Sequence, residues 1–374
     1  MYNVHQHWDP LKVCIVGRSY GPEFYTFIKN SRVRTVMERI AQETEEDYQK
    51  LTKLLETFGV EVLRPTVGDD YRDYIRDNKI ISPPMCPRDY SAMIGETFYF
   101  DNRDTDFEEN WYKIRGSDWP VTPPKSKQEL YALPNFVKTE LTQLKVCLPT
   151  FWWDDVLSTI KNKIVFNNGV NAAMTTRIGR DLYFGTTLGT PITDMDLAKS
   201  KYQNMFSDYR CHVINTQGHS DGTFCPVKPG LIVSLYDVPT YRDTFPDWEV
   251  VYLPGQSWYA IPKFLTLKLK NRGKWWVPGE ELNDEFTDYV ESWLGHWVGY
   301  VEETVFDVNM LVIDEKNVVC NNYNETVFRA FERHGITPHV LNFRHRYFWD
   351  GGLHCITSDL HRMGTQNDYF PERA

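Results

Sequence analysis

The sequence contains no apolar run close to the ~20 residues that a membrane-spanning helix needs. It also lacks an excess of basic residues, because 41 Lys and Arg stand against 51 Asp and Glu, a formal net charge of −10 at pH 7. Non-specific nucleic-acid binding requires the opposite balance. We therefore expect neither a membrane nor a nucleic acid as a partner, whereas a cationic small substrate is compatible with the acidic chain.

Cysteine is scarce and widely spaced, with seven residues among 374 and no CxxC pair. An odd number without close pairs argues against a disulfide scaffold and against a structural zinc site. His5, His7 and His219 form no ligand-like cluster with carboxylates or cysteines, so no metal is predicted. The first twelve residues lack the apolar segment of a secretory signal. These features together predict a protein of the reducing cytoplasm.

Low-complexity segments and a clean interdomain linker are absent from the sequence as well. A single core usually stops growing near ~250–300 residues, so this length indicates two domains or one domain built by repetition. Strand, strand, helix and strand recur at a spacing of roughly 70 residues, which favours repetition. The repetition is one of pattern only, because the residues themselves do not repeat. We expect a single domain over residues 1–374 with a radial arrangement of α/β units.

The predicted elements follow that pattern along the chain. Helical spacing of apolar residues predicts helices over residues 35–58, 126–144, 193–206, 281–301 and 325–334. Short apolar or alternating runs predict strands at residues 12–17, 60–63, 90–94, 97–100, 163–166, 179–185, 211–215, 230–235, 249–253, 309–313, 317–320 and 338–341.

The stretch with the clearest chemical content is Gly351-Gly352-Leu353-His354-Cys355. The glycine pair permits a tight turn or a close approach to another group, because neither residue has a Cβ. The β-prone residues that follow would place the thiol of Cys355 at the mouth of a strand. For this cysteine alone, burial as a small core residue after a turn is the more ordinary interpretation.

A second polar stretch lies far upstream and contains His219 and Asp221. If this stretch is a strand, the two side chains project from the same face toward one site. A cysteine with a remote histidine is the arrangement that produces a thiolate nucleophile. For His219 alone, a hydrogen-bonded core histidine is the alternative.

Several motifs, in this order along the chain, resemble the amidinotransferases of the guanidino-modifying (pentein) superfamily, and most closely the arginine:glycine amidinotransferases. They lie at residues 8–18, 87–89 (Pro-Arg-Asp), 172–173 (Ala-Ala) with 179–181 (Gly-Arg-Asp), 219–224, 309–316 and 351–355. The resemblance covers residues 3–364 and is patchy between 101 and 160 and between 236 and 305. It implies an α/β fold, the five-bladed β/α-propeller (pentein fold), in which ββαβ units surround a central channel that holds the site.

The resemblance also implies roles for four residues. Asp89 and Asp221 would hold a guanidino group, which carboxylates recognise well because it is a planar, cationic fork of donors. Cys355 would attack the central carbon to form a covalent amidino-cysteine, and His219 would donate a proton to the departing amine and later accept one. This chemistry needs no cofactor. For Asp89 alone, a solvated turn carboxylate after Pro87 is the competing interpretation.

Two positions depart from the family pattern. An ungapped match places Met174 where the family has an aspartate that orients the histidine. Asn171 is the nearest polar side chain, and only a local shift would bring it beside the imidazole. Val238 occupies the position at which the family has an arginine that helps to hold the amino-acid carboxylate, and Arg242 is a possible stand-in. The family's serine-bearing loop does not match at residues 255–259. Arginine with glycine is therefore not assured as the substrate pair.

We predict a cytoplasmic amidinotransferase that moves an amidino group from arginine, or an arginine-like donor, to a small-molecule amine. The same residues would suit a hydrolase of the arginine or agmatine deiminase type, in which water replaces the amine. A non-catalytic guanidino-compound binder is the third hypothesis, which Met174 supports and the joint presence of Cys355 and His219 opposes. The resemblance further suggests a homodimer. The sequence does not specify the acceptor.

Overall fold

The structure is a computed structural model. It describes residues 1–66, 83–100, 150–166, 169–186, 192–216, 218–235, 241–253, 275–294, 307–349 and 351–373. The strands are β1 (Leu11–Val16), β2 (Glu61–Leu63), β3 (Ser91–Ile94), β4 (Thr97–Phe100), β5 (Lys163–Phe166), β6 (Thr175–Ile178), β7 (Asp181–Gly185), β8 (Arg210–Ile214), β9 (Phe224–Lys228), β10 (Leu231–Ser234), β11 (Glu249–Tyr252), β12 (Leu311–Asp314), β13 (Asn317–Cys320), β14 (Thr337–Val340) and β15 (Thr357–Arg362).

The helices are α1 (Ser31–Thr57), α2 (Thr150–Thr159), α3 (Ile192–Met205), α4 (Tyr241–Thr244), α5 (Asp284–Tyr289), α6 (Glu325–Arg333) and α7 (Arg346–Trp349). Among the helices of the described ranges, none is both long and apolar enough to cross a membrane.

The described strands form five three-stranded sheets that share one construction. In each sheet the central strand pairs antiparallel with one neighbour and in parallel with the other. A parallel neighbour requires a crossover, and each crossover contains a helix: α1, α2, α3, α4 or α6. Each unit is therefore ββαβ, and the predicted α/β class with recurring units is confirmed.

The two ends of the chain meet in one of these sheets. β15, near the C-terminus, pairs antiparallel with β1, and β1 pairs in parallel with β2. The β-prone run after Cys355 predicted a strand, and β15 confirms it, whereas its pairing with β1 was not predicted. This pairing places the turn that contains Cys355, called the cysteine turn below, beside the first unit of the chain.

Helix α1 shows how local sequence and packing agree. The side chain of Asn30 accepts hydrogen bonds from the amides of Arg32 and Val33 and so caps the N-terminus. The buried residues lie on one face at helical spacing, as predicted. Gly59 has φ +70° and reverses the chain toward β2.

Strands in the middle of the fold are buried on both faces. Leu311 and Ile313 of β12 pack into one apolar cluster with α1, while Val312 between them packs into another with α6. Leu182 and Tyr183 of β7 divide between two clusters in the same way. Adjacent sheets therefore share their cores, which explains why these strands lack a polar face in the sequence.

Most of the predicted elements are confirmed to within a few residues, and the differences have physical reasons. The late helix predicted at 281–301 begins at Asp284 as α5 and continues as a π-helical turn, Val290–Leu294. Residues 295–301 and the helix predicted at 126–144 lie outside the described residues. β6 and β9 were not predicted. β6 is buried throughout and shows no alternation. β9 contains Pro226, which an edge strand tolerates.

Candidate active site

Cys355 lies in the turn that leads into β15 and is 2% exposed. The amide of Ile356 donates to the carbonyl of Gly352 across this turn. A Cβ added to Gly352 would lie 2.5 Å from Oδ1 of Asn309, and one added to Gly351 would lie 2.9 Å from the sulphur of Cys86. The close approach predicted from the glycine pair is confirmed, and no larger residue fits at 352 without displacing Asn309.

His219 and Asp221 do not lie on a strand, so the prediction that they share a strand face is wrong. Ser220–Gly222 form a 3-10 turn, closed by hydrogen bonds from the amides of Gly222 and Thr223. The succession of Ser, Asp and Gly favours a turn more strongly than the apolar residue after it favours a strand. The side chain of Asp221 is 5% exposed and that of His219 is 47% exposed. The two side chains therefore meet different neighbours.

Asp221 is the carboxylate in contact with the thiol. Its Oδ2 accepts hydrogen bonds from Nδ1 of His354 at 2.8 Å and from Sγ of Cys355 at 3.4 Å. Its Oδ1 is buried and has no hydrogen-bond partner among the residues that the structure describes. One carboxylate oxygen is thus committed to the cysteine turn, while the other is available to a donor group.

The protonation states at this centre follow from burial and from the neighbouring groups. Burial raises the pKa of Asp221, but the hydrogen bond from His354, with smaller contributions from His219 and Arg88, brings it below its usual value. Burial lowers the pKa of His354 to about 4, against the opposing effect of Asp221. Near neutral pH, Asp221 is therefore ionised, and His354 is neutral and donates through Nδ1.

The thiol of Cys355 is protonated in this state of the protein. Burial raises its pKa well above the usual value, and the negative charges of Asp221 and Asp89 raise it further. A hydrogen bond from the side chain of Asn309 opposes them. A bound cation that offsets the two carboxylates would favour the thiolate.

Asp89 lies on a 3-10 turn, Pro87–Asp89, immediately before β3. Its side chain is 28% exposed, and Oδ1 is 3.9 Å from Nδ1 of His219. Asp89 is therefore a partly buried turn carboxylate. Asp89 is the carboxylate nearest to the imidazole of His219 among the ion pairs of the described residues.

The side chain of Arg88 connects this turn to the cysteine turn through hydrogen bonds. Its Nε donates to the carbonyl oxygens of His354 at 2.7 Å and Thr357 at 2.9 Å, and Nη1 donates to Asp359 at 3.1 Å. Asp359 also binds Arg177 and Arg362, and all four side chains are buried. Removing one partner of a buried pair costs about 3–5 kcal/mol, so this cluster holds the two turns in one position.

Residue 174 and Asn171 lie where the sequence departs from the family pattern. The amide of Asp221 donates to the carbonyl of Ala173, and the hydroxyl of Ser220 donates to the carbonyl of Met174 at 3.0 Å. Residue 174 therefore adjoins the turn of His219 through its backbone. Asn171 accepts a hydrogen bond from the amide of Met174 at 3.0 Å, so its side-chain oxygen is used within its own turn.

The other departures cannot be placed on the structure. Val238, residues 255–259 and the side chain of Arg242 lie outside the described residues.

The structure thus brings Cys355, Asp221, Asp89 and His219 into one cluster. Sequence reasoning missed Asn309 and His354 as members of the site. Both stand inside motifs that the resemblance used, but their partners are distant along the chain, and only the folded chain shows which atoms they meet. Among the described residues, no group of three or more His, Cys, Asp and Glu could hold a metal ion.

Comparisons with known proteins find similarity to amidinotransferases. Glycine amidinotransferase of Xenopus tropicalis, a mitochondrial enzyme, is 24% identical over 403 residues, which cover 98% of this chain and 84% of the relative. Inosamine-phosphate amidinotransferase 1 of Streptomyces glaucescens is 23% identical over 412 residues, with 99% of both chains covered. This chain is homologous to amidinotransferases. No protein-family profile matches it.

A solved amidinotransferase shares the fold. SxtG, an amidinotransferase from Microseira wollei in the saxitoxin biosynthetic pathway, superposes with a TM-score of 0.60 at 17% identity, and 99% of each chain is covered. The amidinotransferase resemblance inferred from the motifs is therefore confirmed.

Proposed function

We propose that this chain is an amidinotransferase that moves an amidino group from arginine, or an arginine-like donor, to an amine through a covalent amidino-cysteine at Cys355. The observation that carries the proposal is the contact between the thiol of Cys355 and the buried carboxylate of Asp221. A carboxylate 3.4 Å from the sulphur would place the central carbon of a bound guanidinium beside the nucleophile. Homology to amidinotransferases supports transfer as the reaction.

Donor binding follows from the free oxygen of Asp221. A guanidinium N–H would donate to Oδ1, which has no hydrogen-bond partner among the described residues. Asp89 would accept from the same group on the side of His219. The two carboxylates would share one cation, and the charge that they impose on Cys355 would be largely neutralised.

The reaction then proceeds in two steps, formation and breakdown of the amidino-cysteine. The thiol gives its proton to His219, the thiolate forms a bond to the guanidino carbon, and the C–N bond to the departing amine breaks as His219 passes that proton to the amine. The acceptor amine attacks the amidino-cysteine, gives a proton to His219, and the C–S bond breaks. The half-exposed position of His219 suits a group that serves amines entering from solvent.

The architecture proposed for this site is a five-bladed propeller formed by a single domain. Each sheet contributes a residue just before its first strand: Asp89, Met174, Asp221, Asn309 and Cys355 precede β3, β6, β9, β12 and β15. These segments come together, as the contacts around Asp221 illustrate. Convergence of five equivalent strand ends favours blades arranged around one axis, with the site at the axis.

Two further expectations accompany the proposal. The described cysteines are buried, and no disulfide joins any two of them, which agrees with a reducing compartment such as the cytoplasm. A homodimer is proposed from the resemblance alone.

Incubation with labelled arginine and a panel of amines tests the function. We expect ornithine together with a new guanidino compound for at least one amine. Citrulline and ammonia in the absence of an amine would instead identify a hydrolase. Binding without any turnover across the panel would identify a binder and overturn the proposal.

Met174→Asp tests whether residue 174 acts on His219. An added carboxylate beside the imidazole should raise the pKa of His219, because a nearby opposite charge favours the protonated form. The histidine-dependent limb of the pH–rate profile should then move to higher pH. Met174→Asn is the matched control, since it adds a polar side chain without charge and should leave the limb in place. An unmoved limb in folded Met174→Asp would show that side chain 174 does not face His219.

A further inference from the structure

Asn309 is a buried residue just before β12 whose side chain uses all of its hydrogen-bonding capacity at the cysteine turn. Its Oδ1 accepts from the backbone amides of His354 at 2.8 Å and Cys355 at 3.0 Å. Its Nδ2 donates to Sγ of Cys355 at 3.0 Å and to the carbonyl of Asp221 at 3.2 Å. One side chain therefore contacts the nucleophile, its backbone and the turn that carries Asp221.

The orientation of this amide is determined by its partners. Two backbone N–H groups point at Oδ1, and a flipped amide would direct its own N–H groups against them. The group that faces the sulphur of Cys355 is therefore the donor. An N–H donor stabilises a thiolate more than a thiol, because hydrogen bonds to charged acceptors are the stronger ones.

We propose that Asn309 stabilises the thiolate of Cys355 and aligns the nucleophile with Asp221. The role rests on the proposed function, in which the thiolate attacks the donor. The two carboxylates of the site oppose ionisation of the thiol, and Asn309 is the polar side chain with an N–H hydrogen bond to the sulphur among the described residues. It would retain this contact throughout the reaction.

Two neighbours hold Asn309 in place. Gly352 allows its side chain to approach, because a Cβ at that position would lie 2.5 Å from Oδ1. The side chain of Asn321 donates to the backbone carbonyl of Asn309 at 3.0 Å. The second glycine of the Gly-Gly pair thus has a specific purpose, which is to make room for this amide.

Alkylation of Cys355 by iodoacetamide tests the proposal without any guanidino substrate. Asn309→Asp keeps the two accepted hydrogen bonds but replaces the N–H facing the sulphur with a carboxylate oxygen. We expect the alkylation profile of Cys355, followed by peptide mass spectrometry between pH 7 and 10, to move to higher pH. At pH 8 the rate should fall by at least about 10-fold.

Two other variants make the test decisive. Asn309→Ser removes the N–H donor without adding charge and should shift the profile in the same direction by less. Asn162→Asp makes the same substitution at a buried asparagine that bonds the backbone of Tyr2 and Glu96 and should leave the profile unchanged. A wild-type profile in either folded Asn309 variant would overturn the proposal. Failure of both to fold would also overturn it, because Asn309 would then be a structural residue.

This experiment separates the inference from the function on which it rests. A shifted alkylation profile together with no amidino transfer by the wild-type protein would retain the role of Asn309 and refute the transferase. Amidino transfer together with an unshifted profile would retain the transferase and refute the role of Asn309.

Discussion

Cys355→Ser is expected to lower amidino transfer by more than about 1,000-fold while the protein remains folded. A serine hydroxyl is far less ionised than a thiol and cannot form the amidino-cysteine. Serine is close to cysteine in size and can still donate to Asp221 and accept from Asn309, so the turn should keep its structure. The measurements are turnover with labelled arginine and an intact-mass search for the covalent adduct, which only the wild-type protein should show.

Cys225→Ser is the matched control. Cys225 lies on β9 and is also buried, but its thiol donates to the backbone carbonyl of Pro226 and not to a carboxylate that could hold a guanidino group, so it is not expected to act as a nucleophile. Its variant should keep wild-type turnover and form the adduct. Substantial turnover by folded Cys355→Ser would exclude the covalent mechanism.

Asp221→Asn should weaken donor binding by roughly 10- to 150-fold. This range corresponds to the ~1.5–3 kcal/mol of a hydrogen bond to a charged group. Asp89→Asn should weaken it less, because the side chain of Asp89 is 28% exposed and that of Asp221 is 5% exposed. Titration calorimetry with arginine, in a Cys355→Ser background that prevents turnover, measures both effects.

Asp181→Asn provides the comparison for a buried carboxylate outside the site. Asp181 is fully buried and pairs with Arg210 and His212. Its variant should bind the donor with the affinity of the background protein. If Asp221→Asn also keeps that affinity, its carboxylate does not hold the guanidino group.

Much of the fold was predictable from short-range patterns. The hairpin of β3 and β4 turns at Gly95, which has φ +55°, and the two strands pair without a register shift, so neighbouring residues determine the pairing. The helical face of α1 is likewise a local property. The pairing of β1 with β15 was not predictable, because β15 lies near the other end of the chain and the pairing is a long-range contact.

The sequence by itself determined the chemical class of the site. The ordered motifs, through their resemblance to the amidinotransferases, singled out Cys355, His219, Asp89 and Asp221, whose residue types suit a reaction on a guanidino group. It also determined the recurring unit, since the alternation of strand and helix periods is a local property of the chain.

Only the tertiary structure decided how the site residues meet. It separated Asp221, in contact with the thiol, from Asp89, which faces His219. It also brought Asn309 to the sulphur of a cysteine 46 positions away. Such hydrogen bonds depend on which strand ends converge, and that is decided by the packing of whole sheets. No local pattern of residues carries that information.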